Sequence, residues 1–144
     1  TGNGSHVSNV IDFVTISTLG NAQDFGDTTV AVSALAGASN STRGLHAGGR
    51  TGTPAAEALQ NVIGFITIAS TGNATDFGDL SVARRSGAGT ANSIHSIFAG
   101  GYLPGMVNTI DRVLIQTTGN AADFGDLFLK THEISGSSDS HGGL

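Results

Sequence analysis

A cassette of about ten residues occurs three times in this chain and constrains its fold more than any other feature. It reads LGNAQDFGD at 19–27, TGNATDFGDL at 71–80 and TGNAADFGDL at 118–127. The first two copies are 52 residues apart and the last two are 47 apart. Periods of this length are typical of repeat proteins, in which one supersecondary unit is copied. The sequence therefore predicts a single repeat domain over 1–144, with repeats at 9–60, 61–107 and, incomplete, 108–144.

One loop accounts for the difference between the two periods. The spacing of 24 residues from Asp24 to Gly48 recurs from Asp76 to Gly100, whereas the stretch from the Gly-Gly pair to the next repeat shortens. The same spacing places a third Gly-Gly pair at position 147, past the last residue. We therefore expect a window cut from a longer array, or a subunit whose edges are completed by neighbours. The chain does not start with methionine, so we also expect a processed or longer precursor.

Each repeat begins with a β-branched stretch of strand length, at 10–16, 62–68 and 109–115. Both faces of this stretch are largely apolar, so we expect sheets on both sides of it. The Gly-Asn pair of each cassette suits a hairpin turn, and a second strand is expected after it. A further strand ends on each Gly-Gly pair. No segment has helical periodicity over ten or more residues, so the chain is predicted to be all-β.

Composition excludes several classes of function. The net charge is −5 and Lys130 is the only lysine, so a basic groove for nucleic acid has almost nothing to be built from. Charged residues make up 12% of the chain, about half the usual share. The chain has no cysteine, which excludes disulfides and thiolate metal sites. No apolar run approaches the roughly 18 residues of a membrane span.

Residues present in every copy are expected to build the repeat, since each occupies an equivalent place. In the cassette, glycine permits a tight turn, phenylalanine fills the gap between neighbouring sheets, and aspartate caps backbone N–H groups. The structural repeat residues are Asp24, Phe25, Gly26, Asp27, Asp76, Phe77, Gly78, Asp79, Asp123, Phe124, Gly125 and Asp126, with Gly48, Gly49, Gly100 and Gly101.

The cassette has one alternative interpretation, a calcium site made by Asn73, Asp76 and Asp79. Calcium requires six to eight oxygen ligands. The spacing of these residues matches neither the calcium loop of helix-loop-helix proteins nor the nonapeptide repeat of calcium-binding β-rolls. We expect no metal and no cofactor. The five histidines have no metal-ligand spacing. The two glutamates, Glu57 and Glu133, lie far apart in the sequence, so a carboxylate pair for glycoside hydrolysis could come only from the aspartates. Aspartates that serve the same turn in every copy argue against such a pair.

Recognition is expected from residues that differ between copies. These lie at 1–8, 50–60 and 102–107, which are versions of one loop, and around Arg84 and Arg85. Arg50 and Tyr102, the only tyrosine, are the candidate binding residues, because arginine and tyrosine are favoured at binding hot spots. The alternative is that both are ordinary loop residues.

The strand ending in Gly-Gly, the variable loop and the aromatic of the cassette together resemble a kelch-type β-propeller blade, whose period is about 50 residues. The sequence TGNATDFGDL at 71–80, together with SHGGL at 140–144, is similar to sequences in repeat proteins of tailed bacteriophages, notably phages that infect marine cyanobacteria and related hosts. The first resemblance implies kelch-like blades belonging to a larger propeller or an oligomer. The second implies a virion or tail-associated structural protein without catalysis.

These observations favour a phage tail fibre or other virion appendage that displays variable loops on a rigid β scaffold. Its expected partners are other copies of itself, neighbouring virion proteins or a host surface glycan, and its expected location is the virion or the extracellular space. One alternative is a self-assembling extracellular filament or surface protein. Another is a secreted carbohydrate-active enzyme on a propeller scaffold, for which the chain offers few non-repeated carboxylates.

Overall fold

The computed structural model describes residues 7–53 and 55–137, and within them the protein consists of strands, turns and loops without a helix. The all-β prediction is confirmed. The strands, in chain order, are β1 (Ser8–Phe13), β2 (Gln23–Val32), β3 (Ala36–Ser39), β4 (Arg43–Ala47), β5 (Arg50–Thr53), β6 (Ala56–Leu59), β7 (Val62–Thr67), β8 (Thr75–Asp79), β9 (Ala88–Ala91), β10 (His95–Ala99), β11 (Tyr102–Leu103), β12 (Gly105–Leu114) and β13 (Ala122–Thr131).

The strands form three successive antiparallel sheets and a separate two-stranded hairpin of β5 and β6. The first sheet contains β1 and β2 alone. The second has the order β3-β4-β7-β8. The third repeats this order as β9-β10-β12-β13, with the short β11 paired to the start of β12. Each four-stranded sheet therefore takes two strands from one repeat and two from the next, which ties consecutive repeats together.

Each cassette folds in the same way. Its hairpin contains a β-bulge, because the pairing register shifts by one residue at Phe25, Phe77 and Phe124. The glycine after the bulge has φ of 149°, 147° and 143° in the three copies, a region that favours glycine. Three non-glycine residues with positive φ also occupy equivalent positions, namely Ala34, Ser86 and Glu133. The copied sequence thus produces copied backbone geometry.

The strands differ from the sequence-based expectations at their ends and in number. The first strand of each repeat was expected at 10–16, 62–68 and 109–115 and is observed at 8–13, 62–67 and 105–114. Five strands were not predicted: β5, β6 and β11 lie in the stretches expected to be the variable loop, and β3 and β9 lie in segments rich in alanine, glycine and serine. Such residues bury little side chain, so their strand character depends on pairing with β4 and β10.

The core lies between the second and third sheets. It is formed by a cluster of apolar side chains, of which Ile63, Phe98 and Ile115 are among the largest that are fully buried. Successive residues Ile63 and Gly64 of β7 face opposite sides and are both buried. The expectation that this strand is covered on both faces therefore holds for the second sheet. Of the equivalent residues of the first sheet, Ile11 is only partly buried and Asp12 is exposed.

Candidate binding surface

Both candidate binding residues directly follow a Gly-Gly pair. Gly48 and Gly49 have φ of 66° and 101°, and Gly100 and Gly101 have 61° and 117°. A side chain is excluded here in any case, since a Cβ on Gly48 would lie 2.5 Å from the carbonyl oxygen of Arg84. The paired glycines turn the chain out of β4 or β10 into the variable loop. Arg50 and Tyr102 are therefore presented at equivalent places by equivalent turns.

Arg50 is anchored by its backbone and its guanidinium group. Its backbone exchanges two hydrogen bonds with Ser33, of 2.9 and 3.0 Å. Its Nε donates to the hydroxyl of Ser33 at 3.2 Å, and its Nη1 donates to the carboxylate of Glu57 at 3.0 Å. Glu57 is carried by β6, which pairs with β5 in a hairpin. The guanidinium still has N–H groups available to a ligand, since it offers five donors.

Tyr102 uses the same backbone contact in the next repeat. Its backbone exchanges hydrogen bonds of 2.8 and 3.0 Å with Arg85, which occupies the position of Ser33. The Arg85 guanidinium lies over the tyrosine ring, 4.7 Å from its centre, and His132 meets the ring edge-on with 5.7 Å between ring centres. Cation–π attraction of this kind holds an arginine against an aromatic ring. Tyr102 is therefore held between two side chains.

Glu57 joins the two candidates into one surface. Its Oε2 lies 3.4 Å from Nε of Arg85, an ion pair without hydrogen-bond geometry, while it also accepts from Arg50. Side chains of Arg50, Glu57 and Arg85 are 22%, 28% and 23% exposed, so solvent reaches all three. We name Arg50, Glu57, Arg85, Tyr102 and His132 the loop surface. It carries two arginines and one glutamate in a chain of net charge −5.

Sequence reasoning found part of this surface. It singled out Arg50 and Tyr102 and the region of Arg85, but not their connection through Glu57 or the contact with His132. The signal for Glu57 was available, because it lies in the extra residues that make the first variable loop longer. His132 carried no such signal, since its role depends on β13 returning beside β12. Glu133 lies next to it, with 3.8 Å between its Oε1 and Nδ1 of His132.

The repeated residues of the cassettes are not part of the loop surface and connect cassettes to one another. Gly72 and Ala74 donate backbone hydrogen bonds to the carbonyl oxygens of Phe25 and Asp27, both at 2.7 Å. The same bonds recur one repeat later, from Gly119 to Phe77 at 2.7 Å and from Ala121 to Asp79 at 2.8 Å. Each Gly-Asn-Ala segment therefore pairs with the Phe-Gly-Asp segment of the preceding cassette.

An asparagine supplies the cap that the sequence assigned to aspartate. The side-chain oxygen of Asn73 accepts from the N–H of Asp27 at 3.0 Å, and that of Asn120 accepts from the N–H of Asp79 at 3.1 Å. An aspartate cap is found at Asp123, which accepts from the N–H of Gly125 at 3.1 Å. The asparagine cap crosses between cassettes, so it could not be recognised as a local turn contact.

A buried ion pair further locks the third sheet to the segment that follows β8. Nη1 of Arg84 lies 2.7 Å from Oδ2 of Asp111, and the two side chains are 3% and 0% exposed. Arg84 also donates to the carbonyl oxygen of Phe98 at 2.9 Å, while the N–H of Ser81 donates to the same carboxylate oxygen at 3.2 Å. The equivalent positions in the preceding interface hold Val32 and Gly64. This pair distinguishes two interfaces that are otherwise alike.

The interface between the first and second sheets contains a cavity of about 280 Å³ that is partly open to solvent. It is lined mainly by apolar residues, together with Thr28 and His46. At the equivalent positions one repeat later, Leu80 and Phe98 are 5% and 2% exposed. Both ring nitrogens of His46 are buried without a hydrogen-bond partner, and burial lowers the pKa of this imidazole below its usual value. His46 is a packing residue that imperfectly replaces a phenylalanine.

The part of the chain that the structure describes has no group of three or more histidine, cysteine or carboxylate side chains placed to hold a metal ion. Within the same residues no helix has the length and apolarity needed to cross a membrane. Comparison with protein-family models gave no match, and a search of curated proteins gave no relative.

Proposed function

We propose that this protein is a structural component of a phage tail fibre or related virion appendage, which contacts the host through the loop surface. The observation that carries the proposal is that repeated residues and variable residues have different roles in the structure. Residues repeated in every copy bond one cassette to the next, whereas Arg50, Glu57, Arg85 and Tyr102, which differ between copies, meet at one exposed place. Such a division suits a rigid frame that displays a binding surface.

We further propose that each four-stranded sheet is one kelch-like propeller blade. Support comes from the antiparallel order of the second and third sheets, in which every strand neighbours its sequence neighbour within the sheet. Loops of different length leave one end of the sheets, at the Gly-Gly pairs, as in a repeat whose insertions fall on a single face. The two strands of the first sheet would form half a blade.

The chemistry of the loop surface suits a saccharide, in particular one that carries a carboxylate. The guanidinium of Arg50 donates one hydrogen bond to Ser33 and one to Glu57. Its other N–H groups can bind a hydroxyl or carboxylate oxygen of a ligand. Tyr102 offers an aromatic ring and a hydroxyl group in one rigid side chain, a combination common at hot spots. Glu57 can accept hydrogen bonds from sugar hydroxyl groups.

A glycan array probed with the whole chain tests the proposal. Arg50→Ala and Tyr102→Ala each remove one side chain of the loop surface, and Lys130→Ala serves as a matched control on the exposed outer strand. We expect binding of acidic glycans to fall about tenfold or more in the first two variants, as for a typical hot-spot residue. The control should bind like the unaltered protein. Absence of glycan binding by the folded protein, or equal binding by all variants, would contradict the proposal.

The second candidate function is a self-assembling filament or surface protein. The specific observation in its favour is that the contact between cassettes has an unused half at each end of the described chain. That observation supports a more definite inference about the partner.

A further inference from the structure

The contact between successive cassettes is made twice within the described chain and has the same geometry both times. In each case two backbone hydrogen bonds and one asparagine cap join the donor cassette to the one before it, with all six distances between 2.7 and 3.1 Å. A contact reproduced at two places by two different sequence segments is a property of the cassette. It does not depend on the particular neighbours of either copy.

The first and last cassettes each present one half of this contact without its complement. In the first cassette, the donor segment consists of Gly20, Asn21 and Ala22. No described residue accepts hydrogen bonds from this segment in the way that Phe25 and Asp27 accept them from the second cassette. Phe124, Gly125 and Asp126 are the equivalents of the acceptor segments. No following cassette within 7–137 covers them, and the Phe124 ring is contacted by the guanidinium of Arg112, 5.0 Å from the ring centre. We name these two sets of three residues the head surface and the tail surface.

Burial of the phenylalanines shows what the tail surface lacks. Phe25 and Phe77 are 8% and 3% exposed, because a following cassette covers each of them. Phe124 has the same place in its own hairpin and is 55% exposed. The neighbouring Phe128 and Leu129 are exposed as well. An apolar patch of this kind, at a strand edge with unpaired backbone groups, is typical of an interaction site.

The glycines of the bulge give a second, independent indication. A Cβ on Gly26 or Gly78 would lie 2.4 Å from the carbonyl oxygen of Gly72 or Gly119, the glycine of the following cassette. A Cβ on Gly125 would meet no atom within 4 Å. The space that a following glycine fills at the two internal contacts is therefore open at the tail surface.

We infer that the head surface of one copy of this chain binds the tail surface of a second copy. The predicted contacts are the backbone N–H groups of Gly20 and Ala22 donating to the carbonyl oxygens of Phe124 and Asp126 in the other copy. The side-chain oxygen of Asn21 accepts from the N–H of Asp126. Because the two surfaces differ, the association is heterologous, and it gives a ring if the rotation closes and a filament if it does not. It is independent of what the loop surface binds.

Two single substitutions and their mixture test the inference. Ala22→Glu places a carboxylate opposite Phe124 and Asp126 and disables the head surface, while Phe124→Glu disables the tail surface. Both residues are exposed in the single chain, so the fold should persist, as far-UV circular dichroism would check. Met106→Glu, at an exposed residue near the start of β12, is the control.

We expect the unaltered protein and the control to show a mass above 14.4 kDa that rises with concentration in sedimentation equilibrium. Each of the other variants alone should have the mass of one chain. An equal mixture of the two should form a complex of two chains and no larger one, since it contains one intact head surface and one intact tail surface. Only head-to-tail binding predicts this complementation.

Three results would overturn the inference: a single-chain mass for the unaltered protein at every concentration, assembly of either variant alone, or no complex in the mixture. Should a variant unfold, amide chemical shifts of the unaltered protein decide the matter. Gly20, Ala22 and Asp126 should then shift with concentration, and unchanged shifts would refute the contact. Glycan binding is measured separately, so failure of one proposal leaves the other standing.

Discussion

Removing one partner of the buried pair of Arg84 and Asp111 should destabilise the chain more than removing one partner of an exposed ion pair. With an effective dielectric constant of about 20, unit charges separated by the observed 2.7 Å attract each other by about 6 kcal/mol. Removing both charges from water offsets most of this gain. Removing one charge alone leaves the other buried and unpaired, which typically costs about 3–5 kcal/mol. That loss is a large part of the total stability of a domain this size.

We therefore predict that Arg84→Met and Asp111→Val each lower the free energy of unfolding by about 3–5 kcal/mol. The double variant should recover at least about 2 kcal/mol relative to the sum of the single effects, because neither charge is then stranded. Recovery should be incomplete, since the carbonyl oxygen of Phe98 and the N–H of Ser81 lose their partners. Arg50→Met breaks a half-exposed pair and should cost at most about 1 kcal/mol.

Urea denaturation followed by far-UV circular dichroism measures these differences, and this signal is chosen because the chain has no tryptophan. The double-mutant cycle is the decisive quantity. Additive single effects would refute the reasoning, and so would single effects below about 1 kcal/mol, the range expected of an exposed pair.

Three further predictions concern the interfaces between sheets. Stability should fall as pH drops below about 6.5, because the lowered pKa of His46 means that the unfolded chain binds a proton that the folded chain does not; the difference in urea midpoint between the unaltered protein and His46→Phe should change with pH below that range and be constant above it. Thr28→Leu introduces the residue type that the next repeat has at the equivalent position, Leu80. By filling the cavity it should raise the thermal unfolding midpoint by an amount equivalent to about 0.5–1 kcal/mol, and a lowered midpoint would contradict this. Gly78→Ala should cost about 1–3 kcal/mol more than Gly125→Ala in urea, since both share the backbone strain but only the first meets a neighbouring carbonyl oxygen; equal costs would refute that contact.

Much of the fold can be predicted from the sequence because the repeated cassette is recognisable at three places in it. The spacing of the cassettes, the β-branched stretches and the Gly-Gly pairs predicted a β protein of copied units; the described chain is all-β, and its second and third sheets share one strand order. The strands β3 and β9 were missed, since short stretches of alanine and glycine have little intrinsic preference for a strand. Sheet membership was also hidden, because each sheet combines strands from two consecutive repeats.

The candidate surface was only partly predictable for a similar reason. Comparison between copies identifies Arg50 and Tyr102 as variable, but the ion pairs of Glu57 depend on how two loops of different repeats approach each other. The buried pair of Arg84 and Asp111 is a clearer case. Aspartate occupies this position in the first and third repeats, and only the third has an arginine supplied by the preceding cassette. Pairing between repeats is a tertiary property that local sequence does not specify.

The central claim is that each cassette holds the one before it through the same backbone contact, and that within residues 7–137 Gly20 has no such contact. Amide hydrogen exchange resolved by NMR, on dilute protein, tests this most directly. We predict slow exchange at Gly72 and Gly119, whose N–H groups donate to the preceding cassette, and fast exchange at the equivalent Gly20. Protection at Gly20 equal to that of the other two, or fast exchange at all three, would contradict the account.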